Sequence, residues 1–202
     1  MITQLRVIPA IVLIGLFAQA ALAHSEAHQE ECPESADAAC PEGTTEHYVL
    51  HADEGDTRWF LGTLGTIKAS SDQTGGALSL VEFICPPGFA TPLHMHVDAD
   101  EAFYVLEGTI RGLNGDQEWI APAGSFVWLP RGIPHGFAVV GDENARVLTL
   151  VLPSGFDGFV RSVGDPAPER VLPPSFEPDV ERLLAAAAQY GQEILGPLEL
   201  PD

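Results

Sequence analysis

The sequence predicts a mostly β domain, a sandwich or barrel of short strands, and three observations point there. Short runs rich in β-branched and aromatic residues recur over about 110 residues, the breaks between them are Gly and Pro clusters, and the chain carries 20 Gly and 17 Pro beside 46% hydrophobic residues. With 202 residues the chain has room for one domain with extensions, at roughly 150 residues per domain.

The elements follow in order. Arg6 precedes an apolar stretch, Val7 to Phe17, and small residues then repeat as Ala18-Gln19-Ala20 and Ala21-Leu22-Ala23; residues 1–23 read as a secretory signal. The apolar stretch is shorter than the roughly 20 residues that cross a bilayer, so the expectation is an exported protein, periplasmic or extracellular, with no stable membrane span once the signal is removed. Residues 24–46 hold Glu26, Glu30, Glu31, Glu34, Asp37, Glu42 and Glu46 with no Lys or Arg, an acidic flexible arm that cannot bury enough apolar surface to order itself. Cys32 and Cys40 lie in it, and in an oxidising compartment they would close a small disulfide loop, leaving Cys85 as a buried free thiol.

The β-barrel is placed at 47–153. Its extended runs are Arg58 to Ala69, Leu78 to Cys85, Glu101 to Leu106, Glu118 to Ala121, Phe126 to Leu129, Gly136 to Val140 and Ala145 to Leu152. Asn114-Gly115 reads as a two-residue hairpin turn. Residues 154–202 form a C-terminal helical extension packing on the barrel. Pro178, the early acids Asp179 and Glu181, and Gly191 beyond the end mark one helix, with Val180, Leu183, Leu184 and Ala187 as its apolar stripe.

Acidic residues outnumber basic ones 29 to 9, for a formal charge of −20. Such a chain cannot neutralise a run of phosphates, so nucleic acid is not an expected partner.

Chemistry concentrates between Gly88 and His135. His94 and His96 are two apart and share one face of an extended strand; Glu101 opens the next strand, and His135 comes from a distant hairpin after Pro130-Arg131-Gly132-Ile133-Pro134. Three imidazoles and a carboxylate converging inside a barrel suit a first-row transition metal. The spacing is more specific than any one residue: Gly88, five residues, His94-x-His96, four residues, Glu101, six residues, Gly108; then, fifteen residues on, Gly124, five residues, Pro130-x-Gly132, two residues, His135.

This pattern resembles the two motifs of the cupin superfamily. The resemblance implies a double-stranded β-helix, a jelly-roll barrel, with His94, His96, Glu101 and His135 as metal ligands. One departure is Val139, where the family often has Asn at a position that is not a ligand. Within the superfamily the chain resembles single-domain bacterial proteins of the quercetin 2,3-dioxygenase type, through Arg58 to Gly62, Glu101 to Gly108 and Pro153 to Phe159. That resemblance implies one divalent metal, with Fe, Mn, Ni, Co, Cu and Zn all compatible with the donors. It also implies a small-molecule substrate and dioxygen, with Glu101 as the catalytic base that takes the enol proton of a flavonol or other enol-bearing phenol before its ring is cleaved with loss of carbon monoxide.

Phe103, Trp128 and Phe137 are the candidate walls of a planar substrate pocket. Two other readings stand beside the dioxygenase: a non-catalytic periplasmic cupin that binds metal or a small ligand, and a cupin decarboxylase, oxidase or isomerase. Cationic residues lining the barrel would favour the last of these, since anionic substrates need Arg or Lys partners. A homodimer is also compatible with the family.

Overall fold

A computed structural model describes residues 46–200. The signal, nearly all of the arm and the Cys32–Cys40 pair lie outside the described residues.

Two antiparallel sheets face one another. The larger runs β11-β1-β2-β3-β10-β5-β8 and is built from β1 (Asp56–Phe60), β2 (Thr63–Ala69), β3 (Ser79–Cys85), β5 (Asp100–Glu107), β8 (Phe126–Leu129), β10 (Ala145–Leu152) and β11 (Asp165–Pro166). The smaller runs β12-β4-β9-β6-β7, from β4 (Leu93–His96), β6 (Thr109–Asn114), β7 (Gln117–Pro122), β9 (His135–Val140) and β12 (Gln192–Gly196). Three helices complete the described residues: α1 (Ser71–Thr74), α2 (Phe156–Val163) and α3 (Val180–Gln189).

Alternation decides which side chains face inward. On β10, Ala145, Val147, Thr149 and Val151 are buried while the residues between them are half-buried, the period-two signature of a strand with one face on the core. Register then fixes their neighbours, since Thr149 lies opposite Phe103 and Val81, and Val151 opposite Glu101. The core so assembled is strongly aromatic: Phe60, Phe83, Phe156 and Phe159 interlock with ring centroids 5.6–6.4 Å apart, mostly tilted or edge-on as ring quadrupoles prefer.

Several expectations are corrected in detail. The run from Arg58 to Ala69 is two strands, because Leu61 (φ 50°) and Gly62 (φ 84°) form a two-residue turn that pairs Phe60 with Thr63. A leucine in the left-handed region is rare, so the run carries no ordinary turn signal. The Asn114-Gly115 hairpin sits one residue later, with Asn114 paired to Gln117 and Gly115-Asp116 at the tip. Strands β6, β11 and β12 and helices α1 and α2 add to the expected elements. On α3 the buried stripe is Leu183, Ala186 and Ala187; Val180 and Leu184 are exposed, because the helix meets α2 and β12 through its alanine side. Asp179 caps that helix by accepting from the Arg182 amide, as an N-cap aspartate does.

The C-terminal extension is therefore not helical alone. Its last strand, β12, zips onto the edge of β4, with Gln192 opposite His96 and Ile194 opposite His94. This brings the end of the chain beside the histidines.

Candidate metal centre

The four side chains singled out by spacing come together between the sheets. His94 and His96 project from the same face of β4, and His135 opens β9 directly opposite His94; cross-strand partners lie close enough for their rings to touch, and these ring centroids are 4.5 Å apart. Glu101 reaches in from the larger sheet, on β5, opposite the buried Leu129 and Val151. One potential ligand atom from each of the four lies within 4.8 Å of the others.

Backbone carbonyls aim two of the rings. His94 Nδ1 donates to the Pro92 carbonyl at 2.9 Å and His135 Nδ1 to the Ile133 carbonyl at 2.8 Å. A carbonyl can only accept, so each Nδ1 carries a proton and each Nε2 is left to face the centre. His96 differs: its Nε2 is buried with no hydrogen-bond partner among the described residues and lies 3.9 Å from Glu101 Oε2. A buried orphan nitrogen needs a physical reason, and serving as a ligand atom supplies it. Donors at about 2.0–2.2 Å from one ion are at most about 4.4 Å apart, so the cluster fits a first-row ion after drawing in by a few tenths of an ångström.

The electrostatics fit the same use. Burial by itself would raise the Glu101 carboxyl, but the hydrogen bond with His135 Nε2 at 3.0 Å and the charges of His96, His135 and His94 outweigh it and hold the group at about 2. Burial lowers His94 to about 4, helped by the neighbouring His135. It lowers His96 as well. For His135 burial acts in the same direction, but the hydrogen bond and charge of Glu101 outweigh it and raise the ring, so a proton bridges these two groups that a binding ion displaces. Neutral His94 and His96 beside an ionised carboxylate are already in the states that a divalent ion requires.

Beside the centre lies a cavity of about 60 Å³. Phe103 and Phe137 line it with Phe60, Phe89 and Phe156, and His94 and Glu101 stand in its wall. No Lys or Arg is among its lining residues. Trp128, the third expected wall residue, is a correction: it is 48% exposed. On β8 it lies opposite Ala102, whereas Leu129 lies opposite the inward Glu101, so period-two alternation turns the indole outward. Cys85 also lines the cavity, and burial pushes its thiol far up, leaving it unreactive. Gln192, Ile194 and Leu183 reach the cavity from the C-terminal extension; they are absent from the sequence-based site because they lie far from the histidine motif and nothing local marks them. Val139, where the family often has Asn, is buried in the apolar core.

Residues 81–151 match the family model of the cupin domain, so this stretch of the chain is similar to that family. Over 143 residues it is 26% identical to the quercetin 2,3-dioxygenase of Bacillus subtilis, covering 70% of this chain and 42% of that protein. Over 77 residues it is 32% identical to an uncharacterized protein of Methanocaldococcus jannaschii, covering 37% of this chain and 60% of that one. The chain thus spans less than two thirds of either relative. Among solved structures, a predicted oxalate decarboxylase from Thermotoga maritima is 18% identical and aligns over 52% of this chain and 99% of its own, with a TM-score of 0.49. KdgF from Halomonas sp. is 21% identical over 48% and 85%, with a TM-score of 0.43.

Proposed function

We propose that the protein is a metal-dependent dioxygenase acting on an enol-bearing phenolic substrate, of which the flavonols are one class. The observation that carries the reading is the wall around Glu101 and His94, which is largely aromatic and aliphatic, with a few neutral polar side chains, and holds no Lys or Arg. A carboxylate or phosphate brought there would lose its hydration without a cationic side chain as partner, which weighs against small acids and sugar phosphates. A neutral ring with an acidic hydroxyl has no such cost. The similarity to the Bacillus enzyme, over 70% of this chain, supports the same choice.

His94, His96, Glu101 and His135 would hold one divalent ion. That ion would supply Lewis acidity, which lowers the pKa of an enol hydroxyl brought to the centre, and redox chemistry toward dioxygen. Glu101, ionised at neutral pH, accepts the enol proton on its carboxylate. The Pro92 and Ile133 carbonyls keep two imidazoles aimed at the centre. Phe103 and Phe137, edge-to-face with centroids 5.1 Å apart, exclude water and hold the ring against the centre.

The test is oxygen uptake by protein stripped of metal and reloaded separately with Ni, Mn, Fe, Co or Cu, against flavonols and simple enols, with His135→Ala as control. Uptake that needs one metal, releases carbon monoxide from a flavonol and disappears in the control is the expected result. Stoichiometric loading with no uptake for any metal would refute the dioxygenase and leave a binding protein or a non-oxidative enzyme.

A further inference from the structure

A second cavity, of about 250 Å³, adjoins the metal centre at His96 and is lined by polar groups including Asp98, Ser154, Gln189 and Tyr190. It shares two wall residues with the aromatic cavity, Phe156 and Gln192. The first cavity, at about 60 Å³, is well below the roughly 150 Å³ that takes up a benzene ring. A ring-sized substrate reaching Glu101 therefore needs more room than this cavity holds, and the wall it shares with the second cavity, Phe156 and Gln192, borders the space that could supply it.

Gln192 is the unusual member of that wall. It is 5% exposed, sits opposite His96 in the β12–β4 register, borders both cavities, and its amide makes no side-chain hydrogen bond to any described residue. An amide carries two donor hydrogens and an accepting oxygen, and this one, unlike the sealed His96 Nε2, Asn114 Oδ1 and Trp119 Nε1, keeps access to solvent, so its hydrogen bonds are open to a bound molecule. Its neighbours do not offer a charge to complement an anion: neither cavity is lined by Lys or Arg, and the Asp98 carboxylate borders the second one.

We propose that the second cavity is a recognition subsite for a neutral, hydroxyl- or carbonyl-bearing organic molecule, and that the Gln192 amide selects it by hydrogen-bonding an oxygen on the end of the substrate remote from the metal. The substrate straddles the two cavities, with Phe156 displaced from the partition and Gln192 meeting the polar end. This rests on the reading that the His94–His96–Glu101–His135 centre binds a substrate, and it names the feature that sorts one phenol from another.

The experiment loads the full protein with Co(II), works under argon so that nothing turns over, and measures binding of quercetin and of azide by calorimetry. Azide is small enough for the aromatic cavity alone. Gln192→Leu is expected to weaken quercetin by about tenfold or more, the effect of losing one buried hydrogen bond, with azide affinity and cobalt stoichiometry unchanged. Gln192→Asn keeps the amide but withdraws it by one methylene, and is expected to weaken quercetin likewise if the leucine variant fails to fold. Phe156→Ala, which merges the cavities, is expected to speed quercetin binding.

Quercetin binding unchanged by Gln192→Leu, a parallel loss of azide, or a wild type that takes azide but not quercetin would each overturn the subsite. Gln192-dependent quercetin binding under argon, with no oxygen uptake in air, would instead sink the dioxygenase reading and leave the subsite standing.

Discussion

At the scale of single residues, the positions of two side-chain nitrogens depend on backbone oxygens that no substitution can remove, so His94 and His135 are held by the fold itself. Asp157 does the same for the layer behind them. Buried at the start of α2, its carboxylate accepts from the Ser71 amide and hydroxyl and from Ser79 Oγ, and pairs with Arg161 at 2.6 Å. Burial would raise its pKa, but the Ser79 and Ser71 hydrogen bonds and the Arg161 charge reverse the sign and hold it below the usual carboxylate value of 3.8. A depressed folded pKa gives stability that is complete above the unfolded value and is lost as pH falls through the folded one. Asp157→Asn is therefore expected to destabilise the protein at pH 7 by about 2 kcal/mol, with the difference from wild type shrinking as pH falls below about 4. Chemical denaturation at pH 7 and at successively lower pH reads this, and a gap that stays constant across the series would contradict it. Because Phe156 adjoins Asp157, the same network also fixes the wall between the two cavities.

Among the elements, the loop from Pro130 to Pro134 has the most consequence for the site. It delivers His135 and is tied to both neighbouring ligand strands: Arg131 donates its amide and guanidinium to Asp100, the residue before Glu101, while the Gly132 amide donates to the His96 carbonyl at 2.8 Å. The guanidinium grips the carboxylate through two nitrogens, and Arg131 is the first cause of the low Asp100 pKa, about 2. An exposed pair of this kind adds little to global stability, but here it ties the loop that delivers His135 to the strand that carries Glu101. Asp100→Ala is expected to weaken metal affinity by about tenfold while leaving the melting temperature of the metal-free protein nearly unchanged. Competition with a chromophoric chelator measures the first and circular dichroism the second; unchanged affinity would show that the strands alone place the ligands.

The same elements show where sequence is informative. The histidine and glutamate spacing is legible because β4, β5 and the loop before β9 present their residues through local geometry. Trp128 is misplaced by composition, which says only aromatic, whereas the register against β5 says which face. Strand β6 is obscure because Arg111, Gly112 and Asn114 break its apolar alternation, and Gly112 is there for a packing reason: a Cβ would run into the Gly136 carbonyl and the Trp119 ring. Helix α2 is hidden by Gly158 and its β-branched residues, which argue against a helix until tertiary burial of Phe156, Phe159 and Val160 outweighs propensity. Gln192 belongs to the site only through the β12–β4 pairing, a long-range contact with no local mark.

For the molecule as a whole, two sheets hold three histidines on one side and a glutamate on the other, so an ion bound between them ties the halves of the barrel together. Binding of that kind stabilises the folded chain by mass action, about 4 kcal/mol when free metal is a thousandfold above its dissociation constant. Metal content and thermal unfolding of the reloaded protein, set against Glu101→Gln and His135→Ala, show whether these side chains hold an ion. One ion per chain, a raised melting temperature that a chelator reverses, and loss of both effects in the two variants while their strand content is retained are the predicted results. A folded wild-type protein that takes up none of Ni, Mn, Fe, Co, Cu or Zn, or that binds them equally well without Glu101 and His135, would contradict the account.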